Sequence, residues 1–399
     1  MSTGVTPSTL GDALQRAGAL RVELAAGAAA RDRDRVLPVG EVRRLADSGL
    51  LAISVPSRHG GAGLPASAVA DVVRIVSEGD PNVGQIPLSH FVYVNQLRLQ
   101  GTHEQQARIY REVLDGAVIG NAQSERGTKH VRDLRTTLVR DGDAWRLDGT
   151  KFYCTGAYFA DWIPVLAHLG PDGPLHVAWV RRDAEGVEVV DDWDAVGQRT
   201  TASGTVHLRS VRVTDDLVTD YATELTGPTT YGAFAQLLHA AIDTGIARAA
   251  LDDAAEFIRD RSRPFSDAVE RFGAQRAVDD PLTVQTFGEL ELQVRSAEAL
   301  LRDAGRAVDA ADADLTTESA GAASLAVAAA RVASTRASVD VASGLFEVAG
   351  TRSVVSGEVL DRHWRNARTH TLHDPAAWKL HHLGRWAADG VLPRPAGQL

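Results

Sequence analysis

An α+β fold is predicted for this chain of 399 residues by three features met in order along it. The first third carries apolar residues at helical spacing. A middle stretch is cut into short β-rich runs by turn dipeptides, and a final third holds three segments of roughly 30 residues, dense in Ala and Leu at i, i+3, i+4 spacing. A helical region, then strands, then long helices again reads as helices segregated from a sheet rather than alternating crossover units.

In the first region, residues 9–46 place Leu14, Ala17, Leu20 and Leu24 on one helical face. The polar run 32–38 interrupts that helix, and a second run over 39–48 stops at Gly49. Leu50 to Pro56 then leads into the turn Gly60-Gly61-Ala62-Gly63, and two further helices are expected over 66–77 and 88–100. Between about 118 and 219, strands are expected over 136–140, 145–147, 176–180, 187–190 and 206–213, separated by Asp141-Gly142, Asp148-Gly149 and Asp172-Gly173. Their spacing of about ten residues suggests an antiparallel sandwich or barrel. Residues 231–261, 282–311 and 316–348, with a shorter helix over 375–388, form an expected four-helix bundle. The divisions are 1–118, N-terminal helical; 119–225, central β; and 226–399, C-terminal bundle.

Composition narrows the function. Hydrophobic residues at 44% and charged residues at 24% are ordinary for a globular protein. A net charge of −10 without a basic stripe argues against nucleic-acid binding. The single cysteine, Cys154, rules out an internal disulfide or a CxxC pair, is read as inert packing, and fits a reducing cytoplasm. The first ten residues lack a signal-peptide pattern, and no run reaches the ~18 apolar residues of a membrane span. Metal binding is not expected, since His381-His382 has no ligand spacing.

The densest chemical signal lies at residues 360–375, where three of the thirteen histidines (His363, His370, His373) stand among three arginines. Crowded titratable groups point to a site; a solvated helix end is the equally simple alternative.

Several separated motifs together make the chain similar to the acyl-CoA dehydrogenase superfamily, over nearly its whole length. They are residues 49–56 with Gly60-Gly61, Gly120-Asn121-Ala122-Gln123-Ser124-Glu125-Arg126-Gly127, Lys151-Phe152-Tyr153-Cys154-Thr155-Gly156-Ala157, Gly197-Gln198-Arg199-Thr200-Thr201-Ala202-Ser203-Gly204-Thr205-Val206 and His370 to Pro375. Within the superfamily the chain most resembles the reduced-flavin-dependent monooxygenases of sulfur acquisition and dibenzothiophene desulfurisation.

The resemblance implies a site. Thr155, with Tyr153, falls in the family's flavin-contacting Trp-Ile-Thr step, and Asn121 and Ser124 border the pyrimidine side of the ring. Arg199 and Ser203 look like a phosphate-side patch, where glycine lets backbone approach closely. Read without the family, Asn121 and Ser124 are ordinary turn residues and Thr155 an ordinary strand residue. Arg263-Pro264-Phe265 stands where dehydrogenases carry Arg-x-Gln-Phe-Gly against the adenine of FAD; the missing glutamine favours FMN. Arg368 is placed at the flavin, where with Arg365 it would hold the segment through ion pairs. His90 is expected to line the substrate cavity.

Dehydrogenases of this superfamily place a catalytic glutamate near the C-terminal segment; here the step reads His373-Asp374-Pro375. His370 and His373, three apart, share one face of a helical turn, and imidazole moves protons near neutral pH. The implied reaction uses reduced FMN supplied by a separate NAD(P)H-dependent flavin reductase and O2, through a C4a-hydroperoxyflavin, to oxygenate a small organosulfur compound. His373 and His370, with Thr155, are the expected catalytic residues. The alternatives are an FAD-dependent acyl-CoA dehydrogenase with Asp374 as base, and an amine N-hydroxylase. A homotetramer or dimer is implied as well.

Overall fold

The computed structural model describes residues 6–127, 129, 133–221 and 226–393. The N-terminal region is built of α1 (Leu10–Asp34), α2 (Val39–Asp47), α3 (Ala66–Gly79), α4 (Pro81–Gln85), α5 (Leu88–Gln100) and α6 (His103–Leu114). Thr9 caps α1, its hydroxyl accepting from the Asp12 amide at 3.1 Å, and Ala13, Ala17, Leu20, Leu24 and Ala28 form its buried stripe. The sequence pattern missed α6, whose charged and amide-rich surface hides its periodicity. A Thr102–Gln105 capping box starts it.

The central strands are β1 (Thr137–Asp141), β2 (Ala144–Lys151), β3 (Trp162–Leu169), β4 (Leu175–Arg181), β5 (Val187–Val190), β6 (Thr205–Val213) and β7 (Val218–Asp220). They hydrogen-bond as one sheet in the order β5-β6-β2-β1-β3-β4-β7. The sheet curls enough that β4 and β6, with three strands between them in that order, touch and enclose one core. It is antiparallel except at β1–β3, a short parallel pairing of Thr137 with His168 and Leu138 with Leu169. The sequence reading passed over β3 because Trp162 to Ala167 are all buried, which erases the alternation of a one-sided strand, and Pro164 interrupts the run.

The C-terminal third contains α7 (Tyr231–Asp260), α8 (Ser266–Phe272), α9 (Pro281–Ala313), α10 (Thr317–Ala349), α11 (Asp361–His370) and α12 (Ala376–Asp389). Helices α7, α9, α10 and α12 form the expected bundle, with α10 touching each of the others. Of α12, Lys379 is the buried residue. One large core joins α1, α3, α5, α7 and parts of α9 and α10, while a separate cluster of Leu138, Leu147, Ile163, Val165, Val206 and Val211 fills the sheet. The front half of α7 is therefore buried nearly all round. Any polar group there must find partners within the protein.

Candidate functional site

Helix α7 carries Gln236, His239 and Asp243 along its buried first half, and α10 brings Arg331 against them. Arg331, 2% exposed, is fully spent. Its Nε donates to Gln236 Oε1 at 3.1 Å, one Nη to Asp243 Oδ2 at 2.6 Å and the other to Asp374 Oδ1 at 3.0 Å. Asp374 also pairs with the buried Lys379 Nζ of α12 at 2.8 Å. Two buried cations thus balance two buried carboxylates.

The imidazoles sit on this ionic base. His370, at the end of α11, donates from Nδ1 to Asp243 Oδ1 at 2.6 Å, and its Nε2 lies 3.0 Å from His239 Nδ1. The His373 ring stacks on His239 with centroids 3.9 Å apart and a 36° tilt. His370 is 2% exposed, whereas the His373 side chain is 47% exposed. The pair expected from spacing does share one face, but through a third histidine that spacing gave no reason to choose. Burial would raise Asp243, yet His370 and Arg331 outweigh it and hold the carboxyl below the usual range. Burial, with the charges of His373, His370 and Arg331, pushes His239 well below its ordinary value, so its ring is neutral at pH 7.

Asp374 is the residue that a dehydrogenase reading would use as base. Burial would raise it, but His373, Arg331 and Lys379 hold it far below the carboxylate range. It is 6% exposed and closed by two ion pairs. A carboxylate so held is a poor proton acceptor, and that alternative loses its base.

A second group of residues lines up at the edge of the sheet. Thr155 Oγ1 lies 2.7 Å from Ser203 Oγ, which lies 2.8 Å from Thr201 Oγ1, which donates to the Gln198 carbonyl at 3.0 Å. Each hydroxyl has one proton, so the chain is polarised from Thr155 toward Gln198, and the Thr155 oxygen is left with lone pairs to offer. Tyr153 adopts φ +58°, uncommon for a bulky residue, and the residue is 49% exposed with its ring beside Trp193 and Arg126. Strained backbone of this kind clusters at functional sites.

Glycines bring the segments together. A Cβ on Gly156, at φ +82°, would stand 2.8 Å from the Ile86 carbonyl oxygen after α4, and one on Gly197 would overlap the Arg365 carbonyl of α11. At that contact the Gln198 amide donates to Asn366 Oδ1 at 2.6 Å, and the Thr200 amide to Asn82 Oδ1 at 3.3 Å. Asn121 and Ser124 lie on the neighbouring loop, where the Ser124 carbonyl accepts from the Phe152 amide at 2.9 Å. The buried Lys151 clamps that loop, donating to the Gln123 carbonyl at 3.1 Å and to Glu125 Oε1 at 2.8 Å. Cys154 is buried beneath, its thiol pushed up to about 12 by burial.

Other expected residues are placed differently. His90 is fully buried: Nε2 donates to the Leu51 carbonyl at 2.8 Å and Nδ1 accepts from the Ile119 amide at 3.1 Å. With both nitrogens taken it ties the turn at Leu50–Ala52 to α5 and to the segment at Ile119, and the expected substrate contact is corrected to a structural one. Arg199 donates to the Asp32 and Arg33 carbonyls at 2.6 and 3.3 Å, closing the end of α1 and bordering an open cleft of about 1000 Å³. Arg365 forms the expected ion pairs, with Asp32 at 2.5 Å and Asp361 at 2.7 Å. Arg368 is half-buried with no ion pair among the described residues. Arg263 is exposed beyond the end of α7, ~30 Å along the helix from His239, so it is not part of the same site within one chain.

The missed residues, Asp243 and Arg331, had a signal. The buried positions 320, 324, 327, 331, 334, 338 and 341 of α10 step by four and three, and Arg331 falls on that stripe; Asp243 falls likewise among the buried residues of α7. A charge on a buried stripe calls for a partner.

Comparison with known proteins agrees with this architecture. Family models match in order: acyl-CoA dehydrogenase N-terminal domain at 17–117, middle domain at 122–211 and C-terminal domain at 237–377. A dibenzothiophene monooxygenase of Rhodococcus erythropolis is 33% identical over 389 residues, 93% of this chain and 91% of that one. A probable FMNH2-dependent monooxygenase, SfnC, of Pseudomonas putida is 32% identical, with 96% of each chain covered. The crystal structure of FMN-bound TdsC from Paenibacillus sp. A11-2 superposes with a TM-score of 0.91 at 32% identity, covering 97% of this chain and 100% of that one. The chain belongs to the acyl-CoA dehydrogenase superfamily, on its flavin-dependent monooxygenase branch.

Proposed function

We propose that the chain is the oxygenase of a two-component system that takes reduced FMN from a separate NAD(P)H-dependent flavin reductase and uses O2 to oxygenate a small organosulfur compound. The observation that carries this is the exchange of groups at the C-terminal segment. Asp374 is locked between Arg331 and Lys379, and the imidazoles of His239, His370 and His373 gather beside it. The organosulfur assignment rests on the relatives that act on dibenzothiophene and on the resemblance described above.

The residues present fit a flavin. Buried polar atoms without a partner among the described residues include Gln85 Oε1, Asn121 Oδ1, both side-chain atoms of Gln198, Thr200 Oγ1 and Thr369 Oγ1. They belong to segments that touch one another through the Asn82, Asn366 and Gly156 contacts. Each such orphan costs about 1–3 kcal/mol, and a ring edged with carbonyls and N–H groups would satisfy them. Asn121, Ser124, Tyr153, Thr155 and Ser203 would hold the ring. Thr155, with its lone pairs outward, suits the N–H of a reduced flavin. Arg368 is the half-buried cation nearest in sequence to the imidazoles. Bound there, FMN would supply the electrons and the oxygen-activating carbon. The protein's part is to exclude water, orient the substrate and hold protons at His373, His370 and Thr155. Arg263, remote within one chain, would reach a flavin from a second copy, consistent with a homotetramer or dimer.

The test is oxygen incorporation. The protein is supplied with FMN, a flavin reductase, NADH and 18O2, and sulfide, sulfone, sulfinate and amine panels are analysed by mass spectrometry. One 18O atom in a sulfur product is expected. Label only in the amine panel would instead make the chain an N-hydroxylase, and bleaching of bound FAD by an acyl-CoA would replace the proposal with dehydrogenation.

A further inference from the structure

We propose that His239 completes a buried three-member proton relay, Asp243–His370–His239, and acts as the positioning residue that fixes the protonated nitrogen on both rings and passes protons between its own Nε2 and His370. The proposal rests on the oxygenase reading for its use, but its geometry stands alone.

The assignment follows from one group. Asp243 Oδ1 is acceptor-only, so His370 keeps its proton on Nδ1. When His370 carries one proton its Nε2 is bare and accepts from His239 Nδ1–H across 3.0 Å. His239 Nε2 is bare in turn. Both buried rings are thereby held as Nδ1–H tautomers, with 0%, 2% and 4% exposure at Asp243, His370 and His239 leaving no water to reverse the order.

A proton arriving at His239 Nε2 forms an N–H bond there. The Nδ1–H bond of His239 breaks as a new one forms on His370 Nε2, and His370 retains its Nδ1–H to Asp243. No atom or electron is gained or lost beyond that proton, and the positive charge comes to rest on His370, against the Asp243 carboxylate. The reverse sequence releases a proton at His239. The groups facing His239 are Asp243 from its own helix, Arg331 from α10, His370 from α11, His373 and Asp374 from the following turn, with Lys379 of α12 behind Asp374. Arg331, Lys379 and the two carboxylates cancel, so the ring nearest Asp243 is the place where an added charge costs least. Fixing a tautomer through a buried carboxylate is the logic of hydrolytic triads, here extended by one ring.

The relay is read in the flavin-free protein by 15N NMR of histidine-labelled samples. His370 and His239 are expected as Nδ1–H tautomers, against the Nε2–H form favoured by free histidine. Asp243→Asn should turn both to Nε2–H. If that variant does not fold, His239→Asn serves: its amide still donates to His370 Nε2, so His370 stays Nδ1–H, while 18O incorporation falls about 100-fold and its pH profile loses one ionisation. Ordinary Nε2–H tautomers in the parent protein, or His239→Asn turnover within threefold of the parent, would overturn the relay. Correct tautomers with no labelled product from any sulfur compound would leave the relay standing and remove the oxygenase reading instead.

Discussion

Arg331→Met removes one side chain and takes one buried cation from two carboxylates at once. The methionine keeps most of the buried volume, so the change is mainly electrostatic. In the parent protein the guanidinium reaches Asp243 at 2.6 Å and Asp374 at 3.0 Å, all three groups being nearly inaccessible to water. Breaking a buried pair from one side costs about 3–5 kcal/mol because the remaining charge has no solvent to return to. Lys379 still holds Asp374, so the larger part of the loss falls on Asp243. Against a total stability of ~5–15 kcal/mol, that is a severe change. Urea unfolding at pH 7.5, followed by tryptophan fluorescence and far-UV circular dichroism, gives the loss. A cycle with Asp243→Leu separates pairing from packing. The double variant should be more stable than the sum of the single losses predicts by at least about 2 kcal/mol, since it buries no lone carboxylate. Additive losses below about 1 kcal/mol each would show the cluster to be solvated and refute the reasoning.

Two further outcomes follow from the same geometry. His373→Ala should lower oxygenated product by about 100-fold or more while leaving FMN affinity, measured by fluorescence titration, within severalfold, because the half-exposed ring carries protons rather than the fold. For His90, burial pushes the ring from 6.5 down to about 4, with partial opposition from the Leu51 carbonyl, so below 6.5 the unfolded chain takes a proton that the folded one refuses. Stability contributed by this group falls as pH drops from 6.5 to 4, at about 1.4 kcal/mol per unit. Denaturation midpoints at pH 7.5 and 5.5 should therefore converge in His90→Gln relative to the parent; an unchanged pH slope would contradict the burial assigned to His90.

The parts of this site legible in the sequence are those whose members lie close together along the chain. Thr155 and Ser203 come from compact motifs, and both fall on the same hydroxyl chain. His370 and His373 come from a three-residue step, and both rings meet the same neighbour. His239 lies about 130 positions upstream in an apolar helix, where a single imidazole carries no periodic signal. Only packing of α7 against α11 joins them. The sheet was harder to read than the helices for a related reason. Strand β3 is buried on both faces, so its polarity pattern vanishes where its tertiary role is greatest. Arg199 shows the opposite failure, for its motif is local, yet the backbone carbonyls at the end of α1 take its guanidinium.

Charge accounting explains why this scaffold suits oxygen chemistry better than α-proton removal. A catalytic carboxylate must be both near the flavin and free enough to accept a proton, which requires a raised or ordinary acidity and few cations. At Asp374 the cations are two, at 3.0 and 2.8 Å, and the carboxyl is driven the other way. The same two cations neutralise Asp243 and Asp374 together, so a buried imidazole can remain uncharged without an orphaned anion beside it. What the arrangement leaves mobile is a proton moving among rings, with no net charge to be buried until one arrives. That is the condition for moving a proton beside a reacting group at neutral pH, and it fails as soon as either Arg331 or Asp243 is removed.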